Sequence, residues 1–159
     1  MGNHSDMRAF FDALASSWDE NVDPLRVQDI LVTAGIRSGH AVLDVGSGTG
    51  VLLPFLVEAV GPEGRVFALD ISTATHFADK QAATKEISRV LVPGGCMVTA
   101  HPQSREELNE MHRHMSGPVS GDFLPDDDTM MMLVESAGLT NVRIYNGPSG
   151  YKLLAVKPA

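Results

Sequence analysis

The stretch AVLDVGSGTGVL at residues 41–52 decides the fold class, because it places three glycines directly after an apolar run. The segment AVLDV at 41–45 is short, β-branched and bounded by glycine, which predicts a buried parallel strand. The segment VLLPFLVEAV at 51–60 is long enough for a helix, and Gly61-Pro62 ends it. A strand, a glycine turn and a helix together predict a site where free backbone N–H groups face a ligand.

A second strand, GRVFALDIS at 64–72, carries Asp70 twenty residues after Gly50. An acid at this distance from a glycine turn binds ribose hydroxyls in doubly wound folds. Position 51 is valine, so the dinucleotide pattern G-x-G-x-x-G is incomplete, and no phosphate-loop lysine follows. Asp44 beside the turn disfavours a pyrophosphate and favours a cation such as an α-amino group or a sulfonium. The predicted ligand is a nucleoside-containing molecule; a purely structural glycine turn is the alternative.

The motif VLDVGSGTG at 42–50 resembles the first motif of the class I S-adenosylmethionine-dependent methyltransferases. VFALDIS at 66–72 is similar to their second strand with its ribose acid, and EISRVLVPGGCMVTA at 86–100 to their late helix, Pro-Gly-Gly turn and fifth strand. The segment at 130–158 is similar to their closing helix and two strands. The resemblance implies an α/β fold, a three-layer Rossmann-like sandwich with a mostly parallel sheet. It also implies methyl transfer from S-adenosyl-L-methionine to a small-molecule acceptor.

The resemblance further implies which residues contact the cofactor. The amphipathic leader FFDALASSWDE at 10–20 is similar to the segment that folds over the cofactor in the small-molecule branch of the family. Its one tryptophan either stacks on the cofactor or packs on the core. The implied cofactor-binding residues are Asp44, Gly46, Ser47, Gly48, Gly50, Asp70, Ile71 and Trp18.

The chain is shorter than the family pattern after its second strand. ALDIS is followed almost directly by HFADKQAATKEISRVL at 76–91, which resembles the helix before the fifth strand. Two strand–helix units, about 35–45 residues at usual element lengths, are therefore missing. In the family's own numbering, the strand order 3-2-1-4-5-7-6 would shorten to 2-1-5-7-6. The alternatives are a strand inserted by a partner chain, or two pieces of a longer chain joined around a missing loop.

The segment HPQSREELNEMHRHMS at 101–116 is the second region where chemistry is expected. Ser104 and Glu107 predict a capping box at the start of a helix. His112 and His114 are two apart and point in different directions on a helix, which does not suit a metal site, so no metal is expected. A solvated helix with incidental histidines is one interpretation. The other is a resemblance to a His-x-x-Ser-Arg-Glu-Glu-x-Asn-x-x-His-Arg pattern in related methyltransferases, which implies that His101, Arg105 and His112 face the substrate and are the candidates for catalysis.

Composition limits the class of partner. The 159 residues predict a single methyltransferase-like domain, with a helical leader at 1–38 and a Rossmann-like core at 39–159. The net charge of −8 argues against nucleic acid, and no apolar run approaches a membrane span. The single cysteine fits a reducing cytoplasm. A homodimer is predicted, because the missing helices leave a parallel sheet uncovered. A non-catalytic cofactor-binding module is the alternative function.

Overall fold

The computed structural model describes residues 23–70, 79–116 and 120–159. In these ranges the helices are α1 (Pro24–Thr33), α2 (Leu53–Val60), α3 (Lys80–Val90), α4 (Arg105–His114) and α5 (Asp127–Ser136). The strands are β1 (Ala41–Val45), β2 (Arg65–Leu69), β3 (Cys96–His101), β4 (Thr140–Gly147) and β5 (Gly150–Val156). The described elements fall into two compact units, one with α1, β1, α2 and β2 and one with all the others. Within the described ranges, no helix is both long and apolar enough to cross a membrane.

The first unit is built on a parallel strand pair. β1 and β2 run in the same direction, with Ala41 opposite Arg65, and α2 connects them. α2 lies against β2 and buries Leu56 and Val60. A side chain at Gly64 has no room, because a Cβ there would lie 2.4 Å from the Cβ of Val60. This strand–helix–strand arrangement is the one that the glycine-rich stretch predicts.

The second unit is an antiparallel sheet with the strand order β3-β5-β4. In the central strand, Tyr151 lies opposite His101 of β3 and Asn146 of β4. Met130 and Val134 of α5 are buried against this sheet. The buried core cluster consists of Met97, Met130, Val134, Leu139, Tyr151, Leu153 and Ala155.

The α/β class is confirmed, but the sheet differs from the prediction of one mostly parallel sheet. The described strands form two sheets, and only the β1–β2 pair is parallel. The physical reason is the tight connection between Gly147 and Gly150, which makes β4 and β5 a hairpin and therefore antiparallel neighbours. With two strand–helix units missing, antiparallel pairs make up most of what remains. The continuous order 2-1-5-7-6 stays a prediction.

Candidate functional site

The glycine turn after β1 adopts a conformation that other residues rarely take. Gly46, Gly48 and Gly50 have φ values of 82°, 52° and 87°, all in the left-handed region. The amide of Gly46 donates a hydrogen bond to the carbonyl of Leu69 at 2.8 Å, and the amide of Gly50 donates to the carbonyl of Ser47 at 2.8 Å. The turn is thus fixed to the end of β2 while its outer side remains exposed.

Asp70 meets this turn from the end of β2. The amide of Gly48 donates to Oδ2 of Asp70 at 2.5 Å. A Cβ built on Gly48 would meet nothing closer than that same oxygen, at 3.9 Å, among the described residues. The space beside Gly48 is therefore open, and a ligand that enters it meets the Asp70 carboxylate.

Asp44, at the end of β1, is the second carboxylate of the site. It is half-buried, and its Oδ2 is sealed from solvent without a hydrogen-bond partner among the described residues. Burial raises the pKa of Asp44 above its usual range, and the negative charge of Asp70 raises it further. A buried carboxylate oxygen without a partner is costly, and a cation would satisfy it. The geometry thus suits a ligand that carries a positive charge and hydroxyl groups.

The structure brings most of the predicted cofactor-binding residues together. Asp44, the glycine turn and Asp70 all stand at the carboxyl ends of β1 and β2, where doubly wound folds bind ligands. The amide of Ser47 points back to the carbonyl of Leu69, 3.4 Å away. Trp18 and Ile71 lie outside the described residues.

The second region holds the three substrate-facing candidates in different settings. His101 is the last residue of β3 and is partly exposed. His112 is buried, and its Nδ1 lies 2.5 Å from the carbonyl oxygen of Asp122. Because a carbonyl oxygen only accepts, Nδ1 carries the proton and donates it. The His112 ring therefore anchors a loop.

Helix α4 carries a polar stripe that the sequence pattern indicates only in part. Asn109 exchanges two hydrogen bonds with the backbone of Leu124, at 2.9 and 2.8 Å. Arg105 forms an ion pair with Asp127, and His112 forms a hydrogen bond with the carbonyl of Asp122. The spacing of 105, 109 and 112, which puts residues on one helix face, is the signal available in the sequence. The predicted capping box between Ser104 and Glu107 is confirmed.

Tyr151 is a residue of this region that sequence reasoning missed. It is completely buried, and burial raises its pKa to about 12. The guanidinium carbon of Arg105 lies 5.5 Å from the centre of the Tyr151 ring. Nε of Arg105 and the Tyr151 hydroxyl make no hydrogen bond of ordinary length and angle in the described part of the chain. The two side chains do lie close together, and Arg105 lowers the pKa of the hydroxyl against the larger raising effect of burial. Tyrosine in the apolar run GYKLLAV predicts only core packing, so the polar atom gives no signal in the sequence.

Comparisons with known proteins identify the family. No protein-family model matches the chain. The ubiquinone/menaquinone biosynthesis C-methyltransferase UbiE of Saccharophagus degradans is 32% identical over 218 residues, covering 94% of this chain and 88% of that protein. The ribosomal RNA large subunit methyltransferase E of Myxococcus xanthus is 44% identical over 90 residues, but these cover 57% of this chain and 38% of that protein.

A solved structure has the same fold. A SAM-dependent methyltransferase from Aquifex aeolicus superposes with a TM-score of 0.65 at 19% identity, over 89% of this chain and 97% of that one. The 218-residue alignment is longer than this chain of 159, so the S. degradans protein has residues without a counterpart here. That agrees with a shortened sequence. With 32% identity across most of both proteins, the chain belongs to the class I S-adenosylmethionine-dependent methyltransferases.

Proposed function

We propose that this chain binds S-adenosyl-L-methionine at the glycine turn of its first unit and methylates a small molecule. The observation that carries the proposal is the sealed Oδ2 of Asp44, which has no hydrogen-bond partner among the described residues and stands close to a second carboxylate. The cofactor has an ammonium group, a sulfonium and a ribose diol. The residues present fit this cofactor. The two carboxylates can bind its positive charges and its ribose hydroxyls, and the glycine turn leaves room for it to approach the backbone.

Each part of the site has a distinct task in this proposal. Asp44 binds the positively charged ammonium and sulfonium end of the cofactor, and this charge satisfies the sealed Oδ2 of Asp44. Asp70 accepts hydrogen bonds from the ribose hydroxyls while holding the amide of Gly48. The turn residues Gly46, Ser47, Gly48 and Gly50 provide a backbone without bulky side chains, and Trp18 and Ile71 remain proposed contacts from the family resemblance.

When bound, the cofactor supplies an electrophilic methyl group on a positively charged sulfur. The chain's own contribution is to orient this group and to exclude water from it. Among the substrate-facing candidates, His101 and Arg105 stand at the end of β3 and just after it, so we propose them for the acceptor side. We propose that His112 supports the loop at Asp122, since its ring already donates to that carbonyl.

A small-molecule acceptor is favoured over RNA. The net charge of −8 repels phosphates, and the relative that aligns along most of its length is named for ubiquinone and menaquinone biosynthesis. The rRNA methyltransferase shares only 38% of its length with this chain. A cytoplasmic location, with one cysteine in the chain, is part of the same proposal.

The remaining architectural predictions are also proposals. We propose one functional domain over 1–159, with a leader at 1–38 and a core at 39–159, in which strands follow the order 2-1-5-7-6. A homodimer is supported by the apolar side chains of Leu43, Phe67 and Leu69, which are 44%, 54% and 44% exposed. Parallel sheets are normally covered on both faces.

Titration calorimetry with S-adenosylhomocysteine, the demethylated product, tests the cofactor site. We expect one molecule bound per chain and lost binding heat when Gly48 is replaced by alanine. An absence of binding to the unaltered chain would overturn the proposal. Methyl transfer is tested separately, by incubating radiolabelled S-adenosylmethionine with cell extract that contains only small molecules. Cofactor binding without any labelled product would favour the alternative, a non-catalytic binding module. That alternative is supported by the residues of the S. degradans protein that have no counterpart in this chain.

A further inference from the structure

The pair formed by Arg105 and Tyr151 has two unused hydrogen-bond donors at its centre. Nε of Arg105 and the hydroxyl of Tyr151 are both sealed from solvent, and neither makes a hydrogen bond of ordinary length and angle within the described residues. The two groups lie close enough for Arg105 to lower the pKa of the hydroxyl, and one acceptor atom can therefore reach both. Leaving such a group unpaired costs about 1–3 kcal/mol, and native proteins rarely retain one without a reason. Two of them on stacked side chains, 5.5 Å apart from guanidinium carbon to ring centre, indicate a place for an acceptor atom.

The charges around these donors restrict what the acceptor is. The guanidinium of Arg105 is already neutralised by Asp127, with which it forms an ion pair through Nη2. The Tyr151 hydroxyl keeps its proton at physiological pH, because burial raises its pKa to about 12. A buried anion would find no net positive charge here and would be costly to desolvate. An uncharged oxygen with two lone pairs satisfies both donors.

The pair lies beside His101, which we propose for the acceptor side. Tyr151 lies opposite His101, the last residue of β3, so the pair stands at the carboxyl end of that strand. Gly150 allows the start of β5 to lie directly beside the end of β3. A Cβ at this position would lie 2.3 Å from the carbonyl oxygen of His101, so no larger residue fits there.

We infer that Arg105 and Tyr151 form a two-donor subsite for an uncharged carbonyl or hydroxyl oxygen of the methyl acceptor. The inference rests on the proposed function, for which it names the chemical class of the acceptor. The oxygen enters past Arg105, whose side chain is 14% exposed, because Tyr151 itself is sealed. Asp127, with half of its side chain exposed, holds Arg105 from the solvent side.

The two tyrosines of the chain make a direct test feasible. With ¹³C at the ring carbon that bears the hydroxyl, NMR gives one signal for Tyr151 and one for Tyr145, which is 50% exposed and serves as an internal control. The probes are acetophenone, an uncharged ketone, and benzoate, an anion of similar size. We expect acetophenone to shift the Tyr151 signal but not the Tyr145 signal, and benzoate to bind about tenfold more weakly or not at all.

Two variants separate the subsite from the fold and from the cofactor site. Arg105→Lys keeps the charge opposite Asp127 but loses the Nε donor, and should weaken acetophenone binding about tenfold. Tyr151→Phe should leave the free energy of unfolding unchanged or raise it slightly, because the hydroxyl it removes makes no hydrogen bond of ordinary geometry among the described residues. Both variants should bind S-adenosylhomocysteine as the unaltered chain does.

The outcomes distinguish this inference from the proposed function. Equal shifts of both tyrosine signals, tighter binding of benzoate, or a Tyr151→Phe variant that is clearly less stable would overturn the subsite. A crystal structure that shows one water bonded to both donors in the presence of acetophenone would do the same. Failure of the unaltered chain to bind S-adenosylhomocysteine would instead overturn the cofactor site, and the NMR titration does not depend on that result.

Discussion

The amide of Gly48 donates a hydrogen bond to the Asp70 carboxylate, 2.5 Å away and 22 positions further along the chain. This contact joins the glycine turn to the end of the neighbouring strand. It gives Asp70 two tasks, because the same carboxylate that shapes the turn also faces the open space beside Gly48. Cofactor binding and local stability are therefore coupled at this residue, and variants can separate them.

Replacing Asp70 by asparagine should weaken cofactor binding while preserving the turn. Asparagine keeps an oxygen that accepts from the amide of Gly48, but it loses the charge that strengthens hydrogen bonds to the ribose. We expect S-adenosylhomocysteine to bind about 1–3 kcal/mol more weakly by calorimetry. Asp70→Ala should show the same loss and be less stable to urea by about 1 kcal/mol. Unchanged binding in the asparagine variant would contradict the ribose assignment.

Gly48→Ala should abolish most cofactor binding, because the added methyl group enters the open space beside Asp70. The backbone at Gly48 has a φ of 52°, so an alanine at this position also adds strain. Gly35→Ala is the matched control: Gly35 has a φ of 67°, its added methyl group would have nothing within 4 Å, and it lies at the end of α1. Both variants should unfold at similarly lowered temperatures, but only Gly35→Ala should still be stabilised by S-adenosylhomocysteine. If S-adenosylhomocysteine stabilised both variants equally, the substitution at Gly48 would act through backbone strain alone and not by filling the ligand's space.

How much is predictable from sequence differs between the two units. The glycine turn and Asp70 are predictable, because left-handed backbone demands glycine and strand ends in a parallel pair meet at one edge. The capping box of α4 is also predictable, since it depends on residues three apart in the sequence. These features are local or follow from one strand–helix–strand unit.

The features that escape prediction depend on contacts far apart in the chain. The unsatisfied hydroxyl of Tyr151 and its stacking on Arg105 arise only when β5 lies beside the end of β3. The loop-binding role of His112 likewise needs Asp122 as a neighbour. A sequence pattern gives residue types and spacing, but it does not tell which long-range neighbour satisfies a polar group.

Asp44 should make the cofactor-free chain less stable at neutral pH. Its pKa is raised in the folded state, by burial first and by Asp70 second, so the folded chain holds the proton more tightly than the unfolded one. Stability therefore falls as the pH rises from the ordinary aspartate range through the raised pKa. Asp44→Asn removes this loss and should unfold at a higher temperature at pH 7. Because the group is half-exposed, the gain in the free energy of unfolding should be less than about 1 kcal/mol.

The same variant should bind S-adenosylhomocysteine more weakly, since the amide cannot neutralise the cationic end of the ligand. Thermal unfolding at pH 4 and pH 7, with and without the ligand, measures both effects. At pH 4 the difference in stability between the variant and the unaltered chain should shrink. A variant that is less stable at pH 7 and still binds normally would show that Asp44 has a purely structural role.

Lys157 should contribute measurably to the stability of the second unit. Its Nζ donates to the carbonyl oxygens of Ser88 and Leu91, each at 2.8 Å, at the end of α3. These carbonyls have no partner within the helix, and a cation there also interacts favourably with the helix dipole. Lys157→Met should lower the free energy of unfolding by about 1–2 kcal/mol. Lys85→Met, at an exposed position of the same helix, is the control and should change it little.

The exposed face of the β1–β2 pair should mediate self-association. Leu43 lies opposite Phe67 in the strand register, so the two side chains share one face, and each is about half exposed. Burying such side chains against a second copy gains about 25 cal/mol for each Å² of apolar surface removed from water. Sedimentation velocity at micromolar concentration should show a dimer, and Phe67→Glu should convert it to a species of 17.0 kDa that keeps its fold. Val57→Glu places the same charge at an exposed position of α2 and should leave the dimer intact. A single 17.0 kDa species for the unaltered chain would show that this face needs no partner copy.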